Sequence, residues 1–498
     1  MGIIIKQSLS NTIISYVGII LGFITTIWLY PNILDPEQYG LIRVIISLSL
    51  LSTQFTTLGI KNTIVRYFPY FKDQDNNHNG ILGIALLVPL FGFIIYSGLF
   101  VLFKNYLIQF YSDKSNLFQD YYFYIIPLIL LISFFETLSN YARALYHTVF
   151  TQFSKEIFIR SLTIAILVLY FFQWINFSQF IIFFIISYAL QLLSVIGYLY
   201  LVGEFHLSLN WSLISGELFH EMMIYSFFSF MGGITTMIVG NIDIIMLGAL
   251  TNLNNAAIYF IAFSVGTIIE IPKRSIHKVS MPLVADYFKT NRLKEIENLY
   301  KRISINQIVI GLLLLIGIWA NLPNLFKILP KNYYSGALVI VTIALAKLFD
   351  MATGINGGII VTSKYFKFDL ISNIFLIIIS IITNYYLIPI YGIFGAALAT
   401  AISLILYNIM RFIFVWIKLK MQPFTIKIIP LVIISTIILI PNFYFNISSN
   451  PYIDTLLRSI LITISYSTVI IYFNISKDIN NIYKTYLQKL FKLIFSSR

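Results

Sequence analysis

Fourteen apolar runs, most of them about twenty residues long, leave this chain only one kind of surroundings. They fall at about residues 9–30, 40–60, 81–103, 121–140, 156–174 and 178–202. Eight more follow at about 223–250, 255–271, 303–322, 335–361, 367–388, 392–416, 424–445 and 454–474. A helix crossing a bilayer needs about 20 predominantly apolar residues. Fourteen of them use most of the 58% of the 498 residues that are hydrophobic. Charged residues amount to 11%, against about 25% in a soluble domain whose surface must face water. The expected fold is therefore an all-α polytopic membrane protein. A soluble enzyme, a secreted factor and a disordered chain are excluded.

The charges orient these spans. With the N-terminus placed in the cytoplasm and the loops assigned alternately, 26 of the 33 Lys and Arg fall inside and five outside. Arg43 and Lys347 lie within spans. A miscounted span would invert every later loop and scramble this bias, so both termini are expected on the cytoplasmic side. The net charge of +13 marks cytoplasmic loops facing anionic lipid, and no nucleic-acid partner is expected. With no cysteine in the chain, disulfides and thiol chemistry are absent. The N-terminal stretch lacks an A-x-A cleavage pattern and reads as a retained first helix. Two inside segments carry apolar stripes at helical spacing. One is the tail from Ile479 through Ile494, with Lys484, Lys489 and Lys492 off the stripe; the other runs from Pro282 to Arg302. Both are expected to lie on the membrane surface.

A faint internal echo runs through the chain. NILDPEQYGLIRVIISLSLL follows the first span, ALTNLNNAAIYFIAFSVGTI follows the seventh, and LIPIYGIFGAALATAIS precedes the twelfth. Each joins a short turn to a tyrosine and then a span. The fourteen-span pattern and the stretches LDPEQYG (34–40), NIDIIMLGALTNLNNAAIYFIA (241–262), EIPKRSIHKVSMPLVADYF (270–288) and YGIFGAALATAIS (391–403) resemble the oligosaccharide flippase family. These are the Wzx-like members of the MOP superfamily, which also holds MATE exporters and the lipid II flippase MurJ. The resemblance implies two six-helix bundles around a central cavity open alternately to each side, with two extra helices beside them. Expected boundaries are 1–210 and 211–420 for the bundles, 421–475 for spans 13 and 14, and 476–498 for the amphipathic tail. It further implies a cargo of polyprenyl-diphosphate-linked oligosaccharide carried from the cytoplasmic to the outer leaflet of a bacterial inner membrane, for O-antigen, capsule or exopolysaccharide synthesis.

Ionisable groups inside spans speak most directly about function, because each costs about 2.5–3.5 kcal/mol at a helix centre unless it faces protein, water or another charge. Arg43, near the outer end of span 2, either snorkels outward or faces the cavity, where its fork of donors suits diphosphate or an acidic sugar. Lys347 and Asp350, spaced i, i+3 on span 10, can neutralise one another beside Gly354, Gly357 and Gly358, where the helix should bend or break. Arg43 and Lys347 are the candidate substrate-binding residues. Asp243 lies about 10 Å from the outer end of span 7, near Asn241, Gly240 and Gly232–Gly233. It is either a structural hydrogen-bond acceptor or a carboxylate that binds a coupling proton or sodium ion. Glu136 could pair with Arg143, and Glu270 could pair with Lys273 or Arg274 or act as a gate. Asp243, Asp350, Glu136 and Glu270 are thus the candidates for ion coupling or gating.

The chain contains neither G-x-x-x-x-G-K-[ST] nor H-E-x-x-H, so no nucleotide loop, metal, cofactor or catalytic residue is expected. The chain is not expected to be an enzyme. A MATE-type cation-coupled antiporter is the first alternative, although span 1 has no acidic residue between 9 and 30. A membrane glycosyltransferase or polymerase is the second. Its acidic motif would be the D-P-E of Asp35 and Glu37, but the longest outside loop, about 104–120, is too small for such an enzyme, and Asp35 is expected to cap a turn.

Overall fold

The computed structural model describes residues 2–112, 116–210, 216–443 and 447–481. Every regular element among these residues is helical. The tail beyond Asn481, which holds most of the expected surface helix, lies outside the described residues. Eleven helices among them are long and apolar enough to cross a membrane. The three remaining apolar runs have separate physical explanations. Residues 148–171 carry Lys155, Glu156 and Arg160 around a π-turn, Ser154–Phe158. Lys367–Leu419 is continuous except at Gly392. Ile428–Leu439 has twelve residues, too few to cross alone.

The chain forms two compact units, Met1–Phe260 and Ile261–Arg498. The first contains α1 (Ser10–Ile33), α2 (Pro36–Phe71), α3 (Ile81–Leu102), α4 (Ile125–Ala144), α5 (148–171), α6 (Phe177–Leu201), α7 (Gly216–Leu250) and the start of α8 (Leu253–Lys289). At its centre α2 packs against α3, α4 and α7. Asp35 and Gln38 form a reciprocal capping box at its start, followed by Pro36. This matches the expected capping role and explains why α2 begins before the apolar run does. Gly40 of the LDPEQYG stretch sits against the start of α8: a Cβ there would stand 1.8 Å from the Leu253 carbonyl oxygen. Buried hydroxyls of Ser49, Thr53 and Thr57 donate to carbonyls one turn back, which lets a polar helix sit in the interior without unpaired groups. The apolar core gathers Ile64, Phe68 and Phe71 of α2 with Ala85, Leu138, Tyr141 and Val195.

The second unit holds the rest of α8, then α9 (Leu293–Ala320), α10 (Ala337–Ala352), α11 (367–391), α12 (393–419), α13 (Ile428–Leu439) and α14 (Pro451–Tyr472). α9 packs against α8, α10, α13 and α14, while α10 packs against the segment Lys367–Leu419 that α11 and α12 share. Gly392 divides α11 from α12 with φ 56 and ψ −131, backbone open to glycine and strained for other residues. The expected break after α10 is present: Gly354 has φ 62, and a short helix, Asn356–Thr362, follows. The stripe between Pro282 and Arg302 is not a free surface helix. It is divided between α8 and α9, and Val284, Ile296 and Tyr300 are fully buried with Ile355 and Ile359. Elsewhere large apolar side chains point outward, such as Ile20, Phe23 and Trp28 on α1 and Ile378 and Ile382 on α11, as lipid allows and water does not.

Candidate functional site

Charges inside the spans separate into two arrangements. In the first unit Arg43 lies two turns into α2, about 10 Å from the helix start, and is half-buried. Its guanidinium carbon stands 3.9 Å from the Phe260 ring centre, 5.0 Å from that of Tyr39 and 5.2 Å from that of Tyr30. The rings of Tyr30 and Tyr39 stack at 4.7 Å, and Phe260 meets Tyr39 edge-on. Nη2 donates to the Tyr39 hydroxyl at 3.1 Å, and that hydroxyl donates in turn to the Thr26 carbonyl. Nε is buried without an acceptor. No carboxylate among the described residues lies within ion-pair distance of Arg43. Cation–π contact offsets part of the cost of holding a bare cation, roughly 0.5–2 kcal/mol per ring. It leaves Nε of the donor fork without an acceptor.

Asp243 is buried on α7, and the Tyr259 hydroxyl of α8 donates to its Oδ2. That is the interhelical hydrogen bond anticipated as the structural reading. Glu136 does not use Arg143: its Oε1 accepts from Lys155 of α5 at 2.6 Å. Two turns of α4 separate Glu136 from Arg143, whereas the π-turn of α5 brings Lys155 directly across.

In the second unit the buried cations Lys347, Arg411 and Arg458 each meet a carboxylate. Lys347 and Asp350 do not neutralise one another. Lys347 reaches back to Glu270 at 2.6 Å, and Asp350 takes the ammonium of Lys273, so α10 is tied twice to α8. Packing of the two helices offers each charge a straighter approach than its own neighbour one turn away. Arg274 stands farther from Glu270, at 3.8 Å, and is exposed. Asn408 of α12 donates to Asp350 Oδ1 at 2.9 Å and accepts from Thr353 at the α10 break. Arg411 pairs with Asp369 and donates to Ser372 and Asn373, its carbon 4.1 Å from the Tyr407 ring centre. Asp454 and Arg458 pair within α14, joined by Asn324.

Some of these residues escaped sequence reading. Arg411 and Arg458 count as loop charges there, yet both are buried. The signal was available: Arg411 interrupts YNIMRFIFVW, and Asp454 precedes Arg458 by one turn. The cage around Arg43 had no such signal, since 34 tyrosines and 44 phenylalanines offer too many candidates.

The family of polysaccharide biosynthesis proteins matches residues 4–288, more than half of the chain. The chain belongs to this family. It is 22% identical over 414 residues to the "Uncharacterized membrane protein MJ1068" of Methanocaldococcus jannaschii, covering 78% of each. Its fold is that of a structure described as the lipid II flippase MurJ in an inward closed conformation: TM-score 0.72 and 14% identity, over 95% of this chain and 100% of that one. An inward-facing multidrug resistance MATE transporter of the MOP superfamily gives a TM-score of 0.61 at 12% identity, over 79% of this chain and 92% of that one. The fold of this family member is thus that of MOP-superfamily transporters, and its neighbours are flippases and transporters, not enzymes. It is a multi-pass membrane protein.

Proposed function

We propose that the protein is a flippase that carries polyprenyl-diphosphate-linked oligosaccharide from the cytoplasmic to the outer leaflet by alternating access, for assembly of a surface polysaccharide. The observation that carries this reading is Arg43: a half-buried guanidinium inside a spanning helix, braced by three aromatic rings and left without a carboxylate. Such a group persists where water or an anion reaches it. A planar fork of donors suits diphosphate oxygens through charge-assisted hydrogen bonds. A lipid-linked sugar cannot cross alone, because each unpaired polar group loses several kcal/mol of hydration in hydrocarbon. The tail can stay in the bilayer while the headgroup passes a hydrated, charge-lined path. A MATE-type exporter of cationic drugs fits less well, since an unpaired cation repels that cargo.

In this reading residues 1–210 and 211–420 are the two moving halves, and 421–475 form the added helices. Both termini face the cytoplasm of a bacterial inner membrane. A proton or sodium gradient acts through a buried carboxylate, with Asp243 first and Asp350, Glu136 and Glu270 as the others. Lys347, held by Glu270, becomes a cargo contact only if that pair opens. The test is deletion of the gene followed by lipid analysis. The proposal expects polyprenyl-linked glycan to accumulate on the cytoplasmic side and to clear on re-expression. An unchanged glycan pool with altered drug sensitivity would favour the exporter.

A further inference from the structure

We infer that Lys61 and Lys155, with Glu136 held at Lys155, form a second anion-binding station in the first unit, one that receives the phosphate oxygens of the cargo headgroup before Arg43 does. This rests on the flippase reading. Lys61 and Arg43 share α2, whose unbroken part from Arg43 to Thr57 rises about 21 Å at 1.5 Å per residue, with Lys61 just beyond the interruption at Leu58 and Gly59. That is most of the roughly 30 Å thickness of a hydrocarbon core. One cation therefore stands toward each face of the bilayer on the same helix.

The local structure holds Lys61 in place. α2 is interrupted by two left-handed residues, Leu58 and Gly59, and restarts at Ile60. The restart is fixed to α7 by Asn62 donating to Ser229 at 2.8 Å and by the Thr63 and Ser226 hydroxyls at 2.6 Å. The ammonium of Lys61 has three donors, and one goes to the Gln54 amide oxygen at 3.1 Å. No carboxylate among the described residues lies within ion-pair distance of it. Glu136 is within electrostatic reach but accepts its hydrogen bond from Lys155.

Lys155 is set at the site by the π-turn Ser154–Phe158, a distortion that recurs at functional positions. Gln191 donates to the Ser154 carbonyl at 3.0 Å and Ser194 meets its hydroxyl, which pins that turn to α6. The Lys155 side chain is 52% exposed and that of Glu136 22%, so an incoming anion can reach the pair. Two lysines and one carboxylate leave one positive charge. A phosphate group complements that charge and takes donors from both lysines, while Glu136 occupies Lys155 when no anion is present.

This arrangement makes an unusual demand of Glu136: removing its charge should improve binding. The experiment titrates inorganic pyrophosphate into the purified full chain in nanodiscs of neutral lipid at low salt, read by calorimetry. Lys61→Gln and Lys155→Gln should each weaken binding about tenfold, the scale of one charge-assisted hydrogen bond. Lys61→Arg should keep it, and Glu136→Gln should tighten it several-fold. Thermal melting identifies any variant that has lost its fold, and Lys61→Arg then decides on a folded protein. A Glu136→Gln variant that binds equally or more weakly, or a Lys61→Gln variant that binds normally, overturns the inference. Nanodiscs containing phosphatidylglycerol separate the sources of phosphate. Unchanged dependence on Lys61 supports the cargo, and its loss assigns the site to bilayer headgroups and overturns the inference. The two readings also fail separately. Pyrophosphate binding through Lys61 without glycan flipping defeats the flippase reading, whereas Arg43-dependent flipping with an indifferent Lys61 defeats this inference alone.

Discussion

The second unit matches its buried cations with carboxylates, whereas the first holds Arg43 with aromatic rings. Lys347 and Arg411 are 7% and 8% exposed, and each has an acidic partner on another helix. Arg43 is more open and has none. Pairing of the first kind costs desolvation of two ions and returns a fixed geometry, so it suits a scaffold. An aromatic cradle of the second kind orients a cation and leaves its donors available, so it suits a site that must exchange water for an anion. Under the proposed function, the first arrangement serves chiefly stability and the second cargo contact.

Mutations can break that contrast. The largest effect is expected from Glu270→Gln, which strands buried Lys347. Loss of about 3 kcal/mol is predicted, toward the lower end for a buried pair because Glu270 is partly exposed, measured by unfolding of the purified protein. The double variant Glu270→Gln, Lys347→Met should recover most of it. An unchanged melting curve for the single variant would remove the scaffold role. Arg43→Gln should do the reverse. Transport of lipid-linked glycan in proteoliposomes should fall by at least about tenfold, as one or two charge-assisted hydrogen bonds are lost, while stability changes by no more than about 1 kcal/mol. Arg43→Lys should lie between, since it keeps the charge and loses the fork.

Asp243→Asn preserves an acceptor for Tyr259 and should cost only about 1 kcal/mol of stability. If this carboxylate carries the coupling ion, transport driven by a pH or sodium gradient should lose its gradient dependence in that variant. The smallest effect belongs where ion pairing reaches water. The Arg302 guanidinium donates to Asp478 at 2.6 Å and, with Asn306, holds its carboxyl below the usual carboxylate range. A depressed carboxyl stabilises the fold at neutral pH, and that contribution fades as pH falls through its folded value. Asp478→Asn should therefore cost less than about 1 kcal/mol at pH 7, and the difference from the parent should vanish in acid.

Much of the fold is legible in the sequence because hydrophobicity alone selects spanning helices. Eleven long apolar helices among the described residues, the break at Gly354 and the cap at Asp35 are recovered, whereas the run at 424–445 yields a helix of only twelve residues. What sequence spacing misrepresents is pairing. Lys347 and Asp350 look like partners at i, i+3, yet the approach of α8 gives each a better one. Glu136 points to Arg143 along its own helix, yet Lys155 arrives from α5. Tertiary packing decides such contests, and no local pattern encodes it. The Arg43 cradle shows the same limit: Tyr39 is one turn away and foreseeable, while Tyr30 and Phe260 arrive from other helices. Gly392 is different again, since its positive φ falls where the sequence separates the runs 367–388 and 392–416.

The chain has no cysteine, so Arg43→Cys would carry a single thiol at the position on which the account depends. Membranes bearing this variant can be treated with a charged, membrane-impermeant thiosulfonate, and labelling and glycan transport can be followed together. The account predicts labelling in the native membrane, slowed by pyrophosphate, with an aminoethyl adduct restoring part of the lost transport by returning a cation. A thiol that reacts only after denaturation would show that this position is sealed from water and would contradict the account.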